Sequence, residues 1–155
     1  MTPSVDSAAE RIVLDALGGA LSALPSDDAI VAIAFSGGLD SSVLLDAAVR
    51  VMGASRCVAL HVHHGLSPHA DRWLAHCEAT THTLGARFEA QRVRVARDGG
   101  ESVEAAAREA RYRALDVMCA RQGVAALWLA HHADDQAETV LLQLLRGSGV
   151  MGLAA

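Results

Sequence analysis

Short apolar runs alternate with helical stretches along this chain, and that alternation leaves few folds open to it. "AIVAIAF" (29–35), "RCVALHV" (56–62) and "ALWLA" (126–130) are brief, apolar and bounded by turn residues, as strands buried on both faces are. "RFEAQRVRV" (87–95) has the same length with fewer apolar residues, which suits a sheet edge. Between these runs the sequence predicts helices from about Ser41 to Met52, from Ser67-Pro68 to about Leu84 and over 101–122, with a further one over 134–146. Ser67 is the expected N-cap of the second of these, with Pro68 in the position after it. A leading helix follows from the spacing of Ile12, Leu14, Leu17 and Leu21, ending before Pro25. Repeated β-α units require a parallel sheet covered by helices on both faces, an α/β doubly wound architecture. Such sheets bind ligands beyond the carboxyl ends of their strands, where strand order reverses. A strand order of 3-2-1-4 would make the first and fourth strands neighbours at that reversal. The loops leaving those two strands, "SGGLDSS" and "HHADDQ", are the most polar strand exits in the chain.

Composition narrows the chemistry. With 155 residues, 52% hydrophobic and 20% charged, the chain is about one domain's worth and can bury a core. Its longest apolar runs are far shorter than the roughly 20 residues a membrane span needs, and Asp6 and Glu10 precede the first apolar stretch, so a cytoplasmic protein with no membrane partner is expected. Cys57, Cys77 and Cys119 are widely spaced with no C-x-x-C pair, which argues against a disulfide framework, a zinc site or a cysteine-held cluster. Net charge is −5, and 85–121 is the one stretch with more arginines than acids, so any RNA contact must be local. All 13 basic residues are arginine. Without lysine there is no Walker loop and no lysine nucleophile, so an amine that reacts here must arrive as substrate. Oligomeric state stays open, a homodimer included.

"SGGLDSS" sits where an anion cradle forms. Gly37 and Gly38 allow close backbone approach, and the start of the next helix supplies N–H groups and a positive dipole end. Ser36, Ser41 and Ser42 can donate to phosphate oxygens, whereas Asp40 would repel them unless a divalent cation lies between, which predicts Mg²⁺. The plainer alternative is a strand-to-helix turn in which Asp40 or Ser41 caps the helix.

On these residues the chain resembles the PP-loop, or N-type, ATP pyrophosphatases. "LHVHHGLSPHADRWLAHC", "ESVEAAAREARYRAL" and "AHHADDQAETVLLQLLRGSGVMGLA", following "SGGLDSS" in order, are similar to signatures of the tRNA(Ile)-lysidine synthetase family, from about Ile30 onward. The resemblance implies a sheet of the adenine nucleotide alpha hydrolase type and an N-terminal catalytic domain over 1–155, with tRNA-gripping regions expected beyond the "RGSG" signature. It implies ATP cleaved between its α and β phosphates, tRNA(Ile) and free L-lysine as partners, and a cytidine converted to lysidine. ATP would lie on Ser36, Gly37, Gly38, Leu39, Asp40, Ser41 and Ser42, with "HVHHGL" over the adenine side and His64 the better polar contact there, His61 packing in its strand. Arg108 and Arg111 become phosphate- or substrate-facing, although Arg108 could also pair with Glu104, as Glu109 could with Arg113. Asp134 and Asp135 can complete a Mg²⁺ site with Asp40, and Asp135 or Glu138 is the candidate general base. Asp135 and Glu138 could equally form a helix-capping arrangement, and His131 and His132 could be loop or packing residues.

Overall fold

The structure is a computed structural model that describes residues 8–95 and 103–131. Its elements run α1 (Ala8–Leu21), β1 (Val31–Ala34), α2 (Leu39–Met52), a 3₁₀ turn (Ala54–Arg56), β2 (Cys57–His63), α3 (Ala70–Thr83), β3 (Arg87–Arg92), α4 (Val103–Gln122) and β4 (Ala126–Trp128). The strands form one four-stranded parallel sheet in the order β3-β2-β1-β4. The expected reversal between β1 and β4 is therefore present. The helix expected over 134–146 lies outside the described residues. No helix among the described residues is long and apolar enough to cross a membrane.

Period-two alternation of side chains divides the core into two layers. Val31, Ile33 and Phe35 point to one face with Cys57 and Ala59, where they meet Leu45, Ala48 and Met52 of α2 and Cys77 of α3. Ala32, Val58 and Leu60 point to the other, against Ala114, Leu115 and Met118 of α4. The register Val31↔Cys57 through Ala34↔Leu60 keeps like faces together. Each fully buried Ile, Leu or Phe contributes roughly 1.5–3 kcal/mol, so the two central strands carry most of the cohesion. β3 has no fully buried residue, in keeping with its place at an edge. α1 packs on α2, where Arg50 pairs with Glu10 at the surface.

Two helix starts differ from the sequence expectation. α2 begins at Leu39, because Gly38 takes an extended conformation (φ −75°, ψ 170°) and serves as N-cap. α3 begins at Ala70, not after Ser67. The Ser67 hydroxyl accepts the His69 N–H (3.1 Å) and the Ser67 carbonyl accepts the Ala70 N–H (3.1 Å). These bonds close a turn before the helix, a use of serine that competes with capping.

The turn out of β1 depends on Gly37. Its φ is +83°, and a Cβ there would stand 2.6 Å from Cys77 Sγ. Both the dihedral and the contact exclude a side chain. Gly37→Ala should cost more than about 1 kcal/mol in urea unfolding. Adding Cys77→Ala removes the steric part alone, so the double variant should lose less stability than the two single losses combined; strictly additive losses would contradict the contact.

Candidate active site

The cradle is built at the top of β1. Phe35 N–H donates to Leu60 O at 2.8 Å, carrying the β1–β2 pairing one residue further, and the Phe35 ring is buried in the core. The chain then surfaces at Ser36, dips at Gly37 onto Cys77, and enters α2 through Gly38. Ser36 Oγ accepts the Gly38 N–H (3.3 Å) and lies 3.0 Å from Ser41 Oγ. The hydroxyls of Ser41 and Ser42 donate to Gly38 O at 3.1 and 2.8 Å, alongside the Ser42 N–H at 3.0 Å. Ser41 thus bonds a carbonyl and does not cap the helix, and Gly38, as N-cap, brings no side chain to the N–H groups that follow it. The first turn of α2, with its N–H groups and positive dipole end, opens on the cleft ready for an anion.

That cleft has a volume of about 420 Å³ and lies over the carboxyl ends of β1, β2 and β4. Ser36, Gly38, Asp40 and Ser41 form one wall, His63 to Ser67 another, and Arg111 enters from α4. His61 is buried with Nδ1 2.8 Å from Phe35 O, and burial lowers its pKa. His64 Nδ1 is buried with no hydrogen-bond partner among the described residues. Burial lowers the His64 pKa as well, and the positive charge of Arg111 adds to the effect. The loop carrying His64 is pinned at both ends: Asp71 Oδ1 lies 3.2 Å from His63 Nε2 and accepts from Arg92 at 2.6 Å. That arginine bond holds the Asp71 carboxyl below the usual range.

The nominated residues divide into three groups. Asp40, Ser36, Gly38, Ser41, His64 and Arg111 line one cleft. Gly37, Leu39 and Ser42 shape the loop from outside it: Gly37 rests on Cys77, Leu39 is 80% exposed, and Ser42 is bonded back to Gly38. Arg108 is exposed, and its guanidinium sits 5.3 Å from the Tyr112 ring centroid while Arg111 sits 5.6 Å from the same ring. Of the two pairs expected along α4, Glu109–Arg113 forms, whereas Arg108 turns to Tyr112 instead of Glu104. His131 lines the cleft at the end of β4; His132, Asp134, Asp135 and Glu138 lie outside the described residues. Sequence reasoning passed over Trp73, a lining residue, and Cys77, the support under Gly37.

A family model described as a PP-loop domain matches residues 9–155. The chain belongs to the PP-loop family. Among its relatives, this PP-loop chain is 68% identical over 155 residues to a protein named tRNA(Ile)-lysidine synthase from Burkholderia mallei, covering 100% of the chain and 32% of that protein. The protein of the same name from Ralstonia nicotianae is 50% identical over 155 residues, covering 97% of the chain and 33% of the relative. The chain thus spans about a third of the length of these curated relatives. In fold it resembles the U34-tRNA thiolase NcsA from Methanococcus maripaludis, solved with its [4Fe-4S] cluster, with a TM-score of 0.78 at 16% identity, over 93% of this chain and 52% of that one.

The two lowered histidines set a pH dependence. Below their ordinary pKa of 6.5 the unfolded chain takes up protons that His61 and His64 refuse in the fold. Stability should therefore fall as pH drops through 6.5 towards the folded values. Imidazole NMR should find both rings largely neutral at pH 6.5; a His64 that titrates above 6.5 would contradict the burial described.

Proposed function

We propose that this PP-loop chain is the nucleotide-cleaving part of a tRNA(Ile)-lysidine synthase. The observation that carries the proposal is the uncapped start of α2, behind Gly37 and Gly38, at the β1–β4 reversal. The same chain is 68% identical along its whole length to proteins of that name. ATP would lay its β and γ phosphates on the loop from Ser36 to Ser41, held by backbone N–H groups and by serine hydroxyls, that of Ser41 turning from Gly38 O to phosphate. Lysine is not needed for this, and the chain has none.

The reaction then follows from what is held and what is free to leave. O2 of the anticodon wobble cytidine attacks the α-phosphorus, the bond to the β-phosphate oxygen breaks, and pyrophosphate departs from the loop. The amine of free lysine next attacks C2 of the adenylated base, AMP leaves, and lysidine remains. The chain's share is alignment of attacking and leaving oxygens, together with charge stabilisation by Arg111. Asp135 and Glu138 are the candidates to take the proton the lysine amine sheds. A Mg²⁺ ion fits a site of this donor chemistry: no cluster of three or more metal-binding side chains occurs among the described residues, but Asp40 offers a hard oxygen at the phosphate loop. Asp40, with Asp134 and Asp135, would hold the ion, which supplies charge neutralisation with phosphate oxygens and water completing its shell.

Cysteine-dependent thiolation of tRNA has little support from this chain's thiols. Cys57 and Cys77 are buried in one core layer, each pushed up to about 11 by burial, and Cys119 packs against the other layer.

γ-Labelled ATP given to the whole gene product with tRNA(Ile) and lysine should yield labelled pyrophosphate and AMP. Asp40→Asn should slow that release by roughly 10²–10³-fold while the protein stays folded. ADP and orthophosphate as direct products would overturn the assignment.

A further inference from the structure

Trp73 stands in the first turn of α3 and lines the cleft, yet it remains 52% exposed. His76, one turn on, stacks against it with ring centroids 5.2 Å apart and planes 23° from parallel. His76 is in turn fixed beside the phosphate loop, its Cδ2 being 3.5 Å from where a Gly37 Cβ would stand. The indole is thus one stacked ring away from the PP-loop, braced on one face and accessible over much of the rest. A wet tryptophan in a cleft is poor use of a large apolar side chain unless something flat covers it.

A second observation in the same cleft points to the same ligand chemistry. The buried Nδ1 of His64 has no partner among the described residues, and burial, with the charge of Arg111, lowers the pKa of its imidazole. A buried ring nitrogen of this kind is satisfied by a water or by a polar atom that a ligand brings into the cleft. Phosphate would use the loop, and a lysine ammonium, although it can lie over an indole face or donate to a neutral imidazole, has no flat surface to cover the ring. A nucleobase offers both a flat face to stack and a polar edge to bond.

We propose that the accessible face of Trp73 is the stacking platform for a nucleobase bound at the mouth of this cleft. The proposal deepens the reading of the site as a tRNA-modifying ATP pyrophosphatase and rests on it. Two bases could occupy the platform, the adenine of ATP or a base of the tRNA, and they are separable by experiment.

The chain has two tryptophans, and Trp128 lies in β4 packed against the core. Trp128→Phe therefore leaves Trp73 as the sole indole within residues 1–155, and a response lost when Trp73→Phe is added to it is the response of Trp73. The whole protein with that change should be titrated with ATP, with tRNA(Ile) and with inorganic triphosphate, following indole emission. Quenching by ATP assigns the adenine, quenching by tRNA alone assigns an RNA base, and inorganic triphosphate should leave emission unchanged. In the otherwise native protein, Trp73→Ala should weaken the quenching ligand by about 5- to 100-fold, with Trp73→Phe recovering most of the loss. Inorganic triphosphate should bind all three forms alike. If neither ATP nor tRNA alters the emission, or if Trp73→Ala binds both as the native protein does, the platform is refuted even where AMP and pyrophosphate are still formed. Failure of the native protein to form AMP and pyrophosphate would instead count against the reaction, while base-dependent quenching would still uphold the platform.

Discussion

Everything at the site depends on how closely the turn after β1 lies on α3. Gly37 can rest on Cys77 because it has no side chain, and that contact sets where Gly38 and the start of α2 emerge. A loop lifted by the width of one methyl group would move Ser36, Ser41 and the helix N-terminus together, since they are bonded through Gly38. The buried thiol is thus a packing surface. Burial pushes its pKa up to about 11, far from the range of a reactive cysteine.

The electrostatics of the cleft follow from the same geometry. The positive end of α2 and the guanidinium of Arg111 converge on a space that also receives the Asp40 carboxylate. An anion alone would meet both attraction and repulsion there, whereas an anion with a divalent cation satisfies all three groups. His61 and His64 add no competing positive charge, because burial keeps them neutral and Arg111 reinforces this at His64. The loop bearing His64 is itself held by ties at His63 and Asp71, so a ligand would meet a wall already in place.

The sheet was legible in the sequence because burial on both faces leaves an unmistakable trace. "AIVAIAF" and "RCVALHV" have no polar alternation, and the thinner apolar content of "RFEAQR" marks the edge strand it forms. The site was legible where a local pattern determines it, as with the glycines and serines after β1. Ser67 misled because the same hydroxyl that caps a helix can close a turn two residues on, and local sequence cannot choose between them. Helical spacing placed Arg108 on a stripe with Glu104, but Tyr112 lies one turn away on the other side and drew the guanidinium instead. The Gly37–Cys77 contact joins residues far apart in the chain, and no local signal announces it.

We propose that the start of α2 holds the phosphate tail of ATP. A crystal structure of the protein with an α,β-methylene analogue of ATP tests it most directly. The β and γ phosphates should lie within hydrogen-bond distance (about 2.7–3.2 Å) of backbone N–H groups between Gly37 and Ser42, beside Asp40. Phosphates found instead on the loop after β2, with the start of α2 left empty, would overturn that placement.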